Sequence, residues 1–536
     1  MAAAASRSRS RPVGADSHDT HSAAATPAAA ARDARLILSG LMFAIGSPPL
    51  RSWIPYVTSR TRRQTRMEPT KRESNETGEM TPAGVDRRTL LRLGALGAGA
   101  AVLGACREPE ADGGSAHGPR GGEPAPEALF SAPPLETVRI GFVGIGGMGS
   151  VHVRNLLDME GVELTALCDI RPDHAERARD WVLEAGGPEP TLYTRGETDF
   201  VRMCETEDID LVYTATPWRW HVPVCVAAME HGKHAATEVP AAYAMEDCWR
   251  LVETAEATRR HCVMMENVNY GRWEMLVFHM VRQGVFGEIL HGEGGYLHDL
   301  RAIKFADTGE GLWRREHSKT RNGNLYPTHG LGPIANCMDI NRGDRFDYAV
   351  SMSGPSRGLQ DFAREHFPEG APERRETFAL GDVNVTLIRT VLGRTIYVSH
   401  DTNLPRPYSR IHLVQGTRGL FQGYPERVYV EGRSEGHRWD EAQDYLEEFE
   451  HPLWREMAGS GAGRGHGSMD YLENYRLIKC LREGLPTDMN VYDAAALSAV
   501  CAVSEDSVAD RSRPVDFPDF TRGRWETWPQ LGIVGA

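Results

Sequence analysis

The chain has little of what builds a metal or redox centre. It holds nine cysteines, none in C-x-x-C spacing, and Cys168, Cys225 and Cys501 lie inside apolar strand or helix patterns. That argues against zinc or dithiol chemistry and for buried free thiols. Five histidines fall between His279 and His329, yet no His/Glu spacing among them fits a helical zinc motif. Long apolar runs are missing too: residues 93–105 are too few, and too rich in Gly and Ala, to span a bilayer comfortably. Basic charge is also short, with a formal net charge of −14. Residues 1–66 set ten arginines against Asp16, Asp19 and Asp33, giving +7, and residues 67–106 balance, so about −21 falls on the remainder. A body that acidic is a poor partner for nucleic acid.

Residues 1–66 are rich in Ala, Ser and Arg, show no sustained period, and read as a non-native or disordered extension, with a better start at Met67 or Met80. Residues 67–106 follow the plan of a twin-arginine export signal, Asp86-Arg87-Arg88-Thr89-Leu90-Leu91 and then a small-residue apolar run. The run ends in Leu103-Gly104-Ala105-Cys106, which resembles a lipobox with Cys106 as the lipidated residue. Residues 107–136, rich in Gly, Pro, Glu and Ala, read as a flexible tether. These features predict a periplasmic or membrane-anchored protein that meets the membrane only through Cys106.

About 400 residues remain, enough for two domains. The first, 137–266, opens with VRIGFVGIGGMG from Val138 to Gly149, a short apolar strand whose end carries Gly144, Gly146 and Gly149 as G-x-G-x-x-G. Gly144 suits the tight turn, Gly146 a close approach of backbone to pyrophosphate, and Gly149 close packing of the next helix. A second strand, 162–168, ends in Asp169, where an acid binds a ribose 2′-hydroxyl and favours NAD over NADP. Helices at 172–185, 222–232 and 245–259 alternate with strands at 209–214, 233–238 and 262–266. This is α/β, an N-terminal doubly wound parallel sheet covered on both faces. Thr216 to His221 bring polar and aromatic groups to the carboxyl edge, where ligands of such sheets bind.

The alternation together with Glu238-Val239-Pro240 resembles the glucose-fructose oxidoreductase / inositol dehydrogenase (Gfo/Idh/MocA) superfamily. The resemblance implies that 267–520 form an α+β domain with a large, mostly antiparallel sheet, followed by a tail at 521–536. In that region a helix is expected at 273–283 and a strand region at 289–299. Further strands are expected at 383–392, 395–400 and 411–415, and helices at 469–482 and 491–509. The acidic, aromatic stretch 439–454 reads as a solvated helix face or a lid. Members of the superfamily usually carry Glu-Lys-Pro, whose lysine helps deprotonate the substrate hydroxyl. Val239 cannot, which counts against ordinary net dehydrogenation.

Longer motifs narrow the resemblance: Glu238-Val239-Pro240, Asn267 to Arg272, Gly295-Tyr296-Leu297-His298-Asp299-Leu300-Arg301, Trp313-Arg314, Tyr326-Pro327-Thr328-His329 and Asp339 to Asp344. Together, over about residues 137–520, they resemble glycoside hydrolase family 109. The resemblance implies NAD contacts at Gly147, Met148, Asp169, Trp218, Arg219, Trp220, His221, Glu238, Val239 and Asn267. It implies substrate contacts at Tyr296, Arg314, Tyr326, Pro327, Thr328, His329 and Tyr408, and a terminal α-linked N-acetylgalactosamine as substrate. The implied chemistry is redox-neutral: the sugar 3-hydroxyl is oxidised, the C2 proton and then the aglycone leave, water adds, and the hydride returns. No pair of catalytic carboxylates is then needed. A tightly bound NAD recycled in each cycle suits an exported protein with no nucleotide pool around it.

His329 and Tyr326 are the candidates for proton transfer, with Tyr296 and Arg314 orienting the sugar. Outside the motif, His329 reads more readily as a satisfied buried histidine, and Tyr296 and Tyr326 read as packing rings and Arg314 as a surface cation. Two other readings stay open, an exported sugar oxidoreductase with a tightly bound cofactor and a non-catalytic sugar or nucleotide sensor. Oligomerisation is open as well.

Overall fold

Short strands with apolar residues on both faces need helices above and below, and the first domain supplies them. The computed structural model describes residues 132–457 and 465–535; residues 1–66, the export motif, Cys106 and nearly all of the tether lie outside the described residues. Strands β1 (Val138–Val143), β2 (Val162–Cys168), β3 (Thr191–Tyr193), β4 (Leu211–Thr214), β5 (His234–Thr237) and β6 (Cys262–Met264) pair in the order β3-β2-β1-β4-β5-β6. Every pairing is parallel. The connecting helices are α1 (Gly147–Leu157), α2 (Pro172–Glu184), α3 (Asp199–Thr206), α4 (His221–Glu230) and α5 (Met245–Thr258). Two elements escape the sequence pattern. β3 has only three residues and no apolar run, and α3 hides Phe200, Met203 and Cys204 among charges.

The second domain contributes α6 (Arg272–Arg282), β7 (Ile289–Leu297), α7 (Glu310–Thr320), α8 (Thr328–Cys337) and β8 (Phe346–Ser353). β9 (Val383–Thr390), β10 (Thr395–Asp401), β11 (Leu413–Gly416), β12 (Gly419–Gln422), β13 (Arg427–Val430), β14 (Asp440–Glu441) and β15 (Val515–Asp516) complete a nine-stranded sheet in the order β14-β13-β12-β11-β7-β10-β9-β8-β15. It is antiparallel except where β10 runs parallel to β7. α8 lies on β7 so closely that a Cβ on Gly330 would stand 2.1 Å from the Gly295 nitrogen. That contact fixes the start of α8 over the end of β7.

Two later helices return to the first domain. α9 (Met469–Glu483) turns Asp470, Glu473, Asn474 and Leu477, spaced i, i+3, i+4, i+7, into the interior. It packs on α1 and on the turn Asn267–Tyr270. α10 (Val491–Ala509) begins in a capping box, with Asn490 and Asp493 each satisfying the other's backbone, and lies against α5 and β8.

One expectation is corrected. Residues 439–454 are neither a solvated helix face nor a free lid: Tyr445, Leu446, Phe449 and Leu453 are buried, and Trp454 Nε1 donates to the Tyr270 carbonyl at 3.0 Å. Their acids point outward while the aromatic rings anchor the stretch, which composition alone does not distinguish from a solvated face. Among the described residues, all eight cysteines are free and buried.

Candidate active site

The turn after β1 is built as its glycines suggest. Gly144 has φ of +84°, a left-handed conformation that a side chain would strain. A Cβ on Gly149 would lie 2.0 Å from the Gly144 carbonyl oxygen, so α1 docks onto the turn only because none is there. Around Gly146 and Gly147 nothing lies within 4 Å of an added Cβ, and no side chain caps the start of α1. Free backbone N–H groups at a helix N-terminus, beside open space, are what a pyrophosphate needs. Met148 follows on the first turn of α1, half-buried. The Ile145 N–H donates to Asp169 Oδ2 at 2.6 Å and the Arg171 N–H to Oδ1 at 2.8 Å, holding the carboxylate at the end of β2.

At the end of β4, Trp218 is buried and reaches across to the second domain, its ring 4.7 Å from Trp313 and 5.8 Å from Tyr326. The next three side chains are engaged elsewhere. Arg219 is largely exposed and paired with Glu197. Trp220 packs edge-on to Phe200 at 5.9 Å. His221 spans two carbonyls, Thr216 at 2.9 Å and Pro240 at 2.8 Å, and burial pushes its pKa down. None of the three joins the aromatic cluster described next; they tie the loop after β4 in place.

Glu238 ends β5. Its Oε1 is 2.6 Å from His152 Nε2. His152 Nδ1 lies 3.1 Å from the Tyr213 hydroxyl and accepts from Asn474 Nδ2 at 3.0 Å, so the ring carries its proton on Nε2 and both nitrogens are used. Burial opposes the charge on Glu238, but the hydrogen bond from His152 outweighs it and the carboxyl titrates below its usual range. Val239, beside it, is buried and apolar. Asn267 donates through Nδ2 to Asp470 Oδ1 at 2.6 Å, leaving its buried Oδ1 without a partner. An amide N–H of a bound nicotinamide would satisfy that oxygen. Open glycine turn, clamped Asp169 and orphaned Asn267 oxygen all fit a dinucleotide.

Facing this edge is a cluster from the second domain. Tyr296 ends β7, and Tyr326, Pro327, Thr328 and His329 lead into α8. The Tyr296 and Tyr326 rings lie 4.4 Å apart, and His329 stands 4.9 Å from Tyr326 and 5.5 Å from Tyr296, near-perpendicular to both. Tyr408 closes one side, 6.2 Å from Tyr296. Arg314 of α7 stacks its guanidinium over Trp313, Trp218 and Tyr326 at 4.6, 5.2 and 5.2 Å and donates to Glu310 at 2.6 Å. It is a caged cation with its sides committed to aromatic faces, not a surface charge. Burial pushes the phenols of Tyr296 and Tyr326 up, so both stay protonated at neutral pH. Pro327 and Thr328 are buried beneath the cluster.

A residue outside the expected set completes it. His329 Nδ1 lies 2.7 Å from Glu266 Oε1, and that carboxylate also accepts from the Val268 N–H at 3.1 Å. The Glu266 side chain is fully buried, while that of His329 is 12 % exposed. A carboxylate on Nδ1 fixes the proton there and leaves Nε2 with a lone pair. Nε2 makes no hydrogen bond to any described residue. A sign was present in the sequence: Glu266 follows a parallel strand at the sheet's carboxyl edge, as Glu238 does. Its partner, however, is 63 positions away.

The fold and the turn define the class, a Rossmann dinucleotide-binding domain joined to a second domain that closes over its ligand edge. Residues 138–267 match the family described as "Oxidoreductase family, NAD-binding Rossmann fold" and 270–527 match "Glycosyl hydrolase 109, C-terminal domain". The sequence is 49 % identical over 418 residues to a glycosyl hydrolase family 109 protein of Shewanella woodyi, covering 76 % of this chain and 89 % of that one. It is 49 % identical over 411 residues to one of Shewanella baltica, covering 76 % and 90 %. Among solved structures, levoglucosan dehydrogenase in complex with NADH and L-sorbose has a TM-score of 0.55 at 20 % identity, covering 72 % of this chain and all of that one. Myo-inositol 2-dehydrogenase from Lactobacillus plantarum has a TM-score of 0.52 at 15 % identity, covering 71 % and 100 %. The chain therefore belongs to glycosyl hydrolase family 109, an NAD-dependent glycoside hydrolase on a Gfo/Idh/MocA fold.

Proposed function

We propose that the protein removes terminal α-linked N-acetylgalactosamine by a redox-neutral cycle around a tightly held NAD. The observation that carries this reading is the Glu266–His329 pair, a base oriented by a buried carboxylate and facing two protonated tyrosines. Gly144, Gly146, Gly147, Met148 and Gly149 hold the pyrophosphate, Asp169 the ribose, and Trp218, Glu238, Val239 and Asn267 the nicotinamide end. When bound, NAD would supply a hydride acceptor for the sugar 3-position and, once reduced, the donor for the closing reduction.

His329 Nε2 removes the C2 proton, made acidic by a ketone next to it, and Glu266 stabilises the imidazolium that results. Tyr326, kept protonated by burial, donates a hydrogen bond to the reacting oxygen. Arg314 and Tyr296 fix the ring, and Tyr408 borders it. Val239 offers no proton acceptor where related dehydrogenases carry lysine, which leaves the 3-hydroxyl proton to His329. The carboxylates at the cluster are engaged, Glu266 by His329 and Glu310 by Arg314, so two-carboxylate hydrolysis is not equipped. A trapped cofactor also suits export by the twin-arginine route, with lipidation at Cys106. Incorporation of labelled palmitate that disappears in Cys106→Ala tests the anchor.

The test of the chemistry uses protein carrying only the nucleotide with which it purifies. Offered p-nitrophenyl α-N-acetylgalactosaminide in heavy water, it releases nitrophenol and leaves deuterium at C2 of the sugar. Release without C2 label, or equal release after the nucleotide is stripped, rules the cycle out. A sugar oxidoreductase shows no aglycone release, and a sensor shows neither release nor exchange.

A further inference from the structure

Glu473 has no part in the chemistry above, yet it is among the most isolated polar groups in the interior. It is 1 % exposed, and both carboxyl oxygens are buried without a hydrogen-bond partner. It faces other ionisable groups on several sides. On its own helix are Asp470, held by Asn267 and His466, and the neutral Asn474. From β5 comes Glu238 with His152, from the turn after β6 Glu266 and Tyr270, and from β4 Tyr213. Asp488 lies beyond, bound by Arg476 at 2.8 Å and by the Tyr270 hydroxyl at 3.1 Å.

Burial, then the charges of Asp470, Glu238 and Glu266, hold the Glu473 carboxyl well above the usual carboxylate range. Beside it is a cavity of about 10 Å³ whose polar lining is Glu473, Tyr270, Thr487 and Asp488, the rest of its wall being apolar. A second, of about 20 Å³, shares Tyr270, Asp488 and Met489. Each is near the size that holds one ordered water, so the carboxyl borders space for a water that Thr487 and Asp488 also line.

We propose that Glu473 is the proton store of the nicotinamide pocket, protonated while the pocket holds uncharged NADH and releasing its proton toward the adjoining cavities when the pocket holds positively charged NAD+. This rests on the reading that NAD lies against Glu238 and Asn267. Oxidation of an alcohol frees one hydride and one proton. The hydride would cancel the nicotinamide's positive charge, and an equivalent proton, exchanged with solvent by way of the adjoining cavities, would cancel the negative charge of Glu473, so the buried pocket would keep the same net charge through the cycle. Both return when the ketone is reduced. A buried site gains from such balance because an uncompensated charge there is costly. Glu473 is thus a positioning residue, acting on the cofactor's charge state and not on the sugar.

The test is the proton linkage of nucleotide choice. Full-length holoenzyme is equilibrated with defined NAD+/NADH mixtures from neutral to mildly alkaline pH, and the nucleotide retained is quantified. In the wild type, preference for NADH over NAD+ falls by about tenfold per pH unit across the range in which Glu473 titrates; in Glu473→Gln it stays constant. A flat wild-type ratio, or a slope that survives in Glu473→Gln, overturns the proposal. Retention of neither nucleotide overturns the cofactor reading and the proposal with it. Infrared difference spectra of wild-type protein give an answer independent of the variant's folding. The carbonyl band of a protonated carboxyl is expected in the NADH complex and not in the NAD+ complex, and identical bands in both refute the store.

Discussion

Two buried imidazole–carboxylate pairs flank the carboxyl edge of the parallel sheet, 2.6 Å long in His152–Glu238 and 2.7 Å in His329–Glu266. Length does not separate them; the second ring nitrogen does. His152 is fully buried, and its Nδ1 is taken by Asn474 and Tyr213, which ties α1, β4, β5 and α9 together. His329 keeps Nε2 free and partly exposed, turned toward two phenols. A histidine with both nitrogens spent holds a structure together, and one with a spare nitrogen at an accessible edge can take a proton.

The sharpest way to break that distinction is to remove each imidazole. His329→Ala should lower kcat by up to about 10⁴-fold, the upper range for a general base, with the purified protein still carrying a full complement of nucleotide. Comparable turnover in the variant ends its role as base. Removing the other ring should do the reverse. His152→Leu leaves the half-buried Glu238 without its partner and should cost about 2–3 kcal/mol of folding stability, read in a denaturant titration, while the fraction that folds and keeps its nucleotide turns over within tenfold of wild type. If His152→Leu lost rate as steeply as His329→Ala, the contrast would be wrong.

The carboxylates sharpen it further. Glu266→Gln keeps the shape but no longer favours a proton on Nδ1 or stabilises the imidazolium, so kcat should fall by about 10²-fold with KM little changed. The ratio of the two constants in steady-state kinetics decides this. A variant that raised KM alone would make Glu266 a packing residue.

What the sequence made legible follows from the range of each interaction. The glycine turn is local, so Gly144, Gly146, Gly149 and Asp169 could be assigned roles from spacing, and helix 491–509 was bounded at the residues observed. A helix whose apolar and capping residues agree needs no distant information. The Glu266–His329 pair was not legible, because a glutamate after a short strand says nothing about a histidine 63 positions on. The interior face of α9 was hidden more deeply. Asp470, Glu473 and Asn474 read as polar helix surface until the chain folds back over α1, 322 positions from Asn474 to His152. The same holds for Leu531 and Ile533, which look like tail but are buried, with the Ile533 carbonyl 3.0 Å from His451 Nε2.

The comparison extends to histidines that belong to neither pair. Burial pulls the pKa of His400 down to about 3 and that of His412 down to about 4. In the unfolded chain these rings titrate near 6.5. The folded state therefore refuses a proton that the unfolded state accepts, and stability falls as pH drops below about 6.5, continuing until the folded pKa is reached. Glu238 and Asp470, held below the usual carboxylate range, add nothing above about pH 5, since their contribution is lost only as pH falls below the unfolded carboxylate pKa of about 4. The rings should thus give the Tm an acid limb that sets in at about pH 6.5, superposed on the opposite slope of Glu473, whose raised carboxyl loses stability as pH rises. His400→Gln, which cannot take up a proton in either state, should make that decline shallower by at most about 2 kcal/mol at about pH 5. His400 suits the test because its Nδ1 is buried without a partner, so its replacement removes the titration while breaking no bond at that atom. An acid limb of unchanged slope in the variant would assign the loss of stability to other groups.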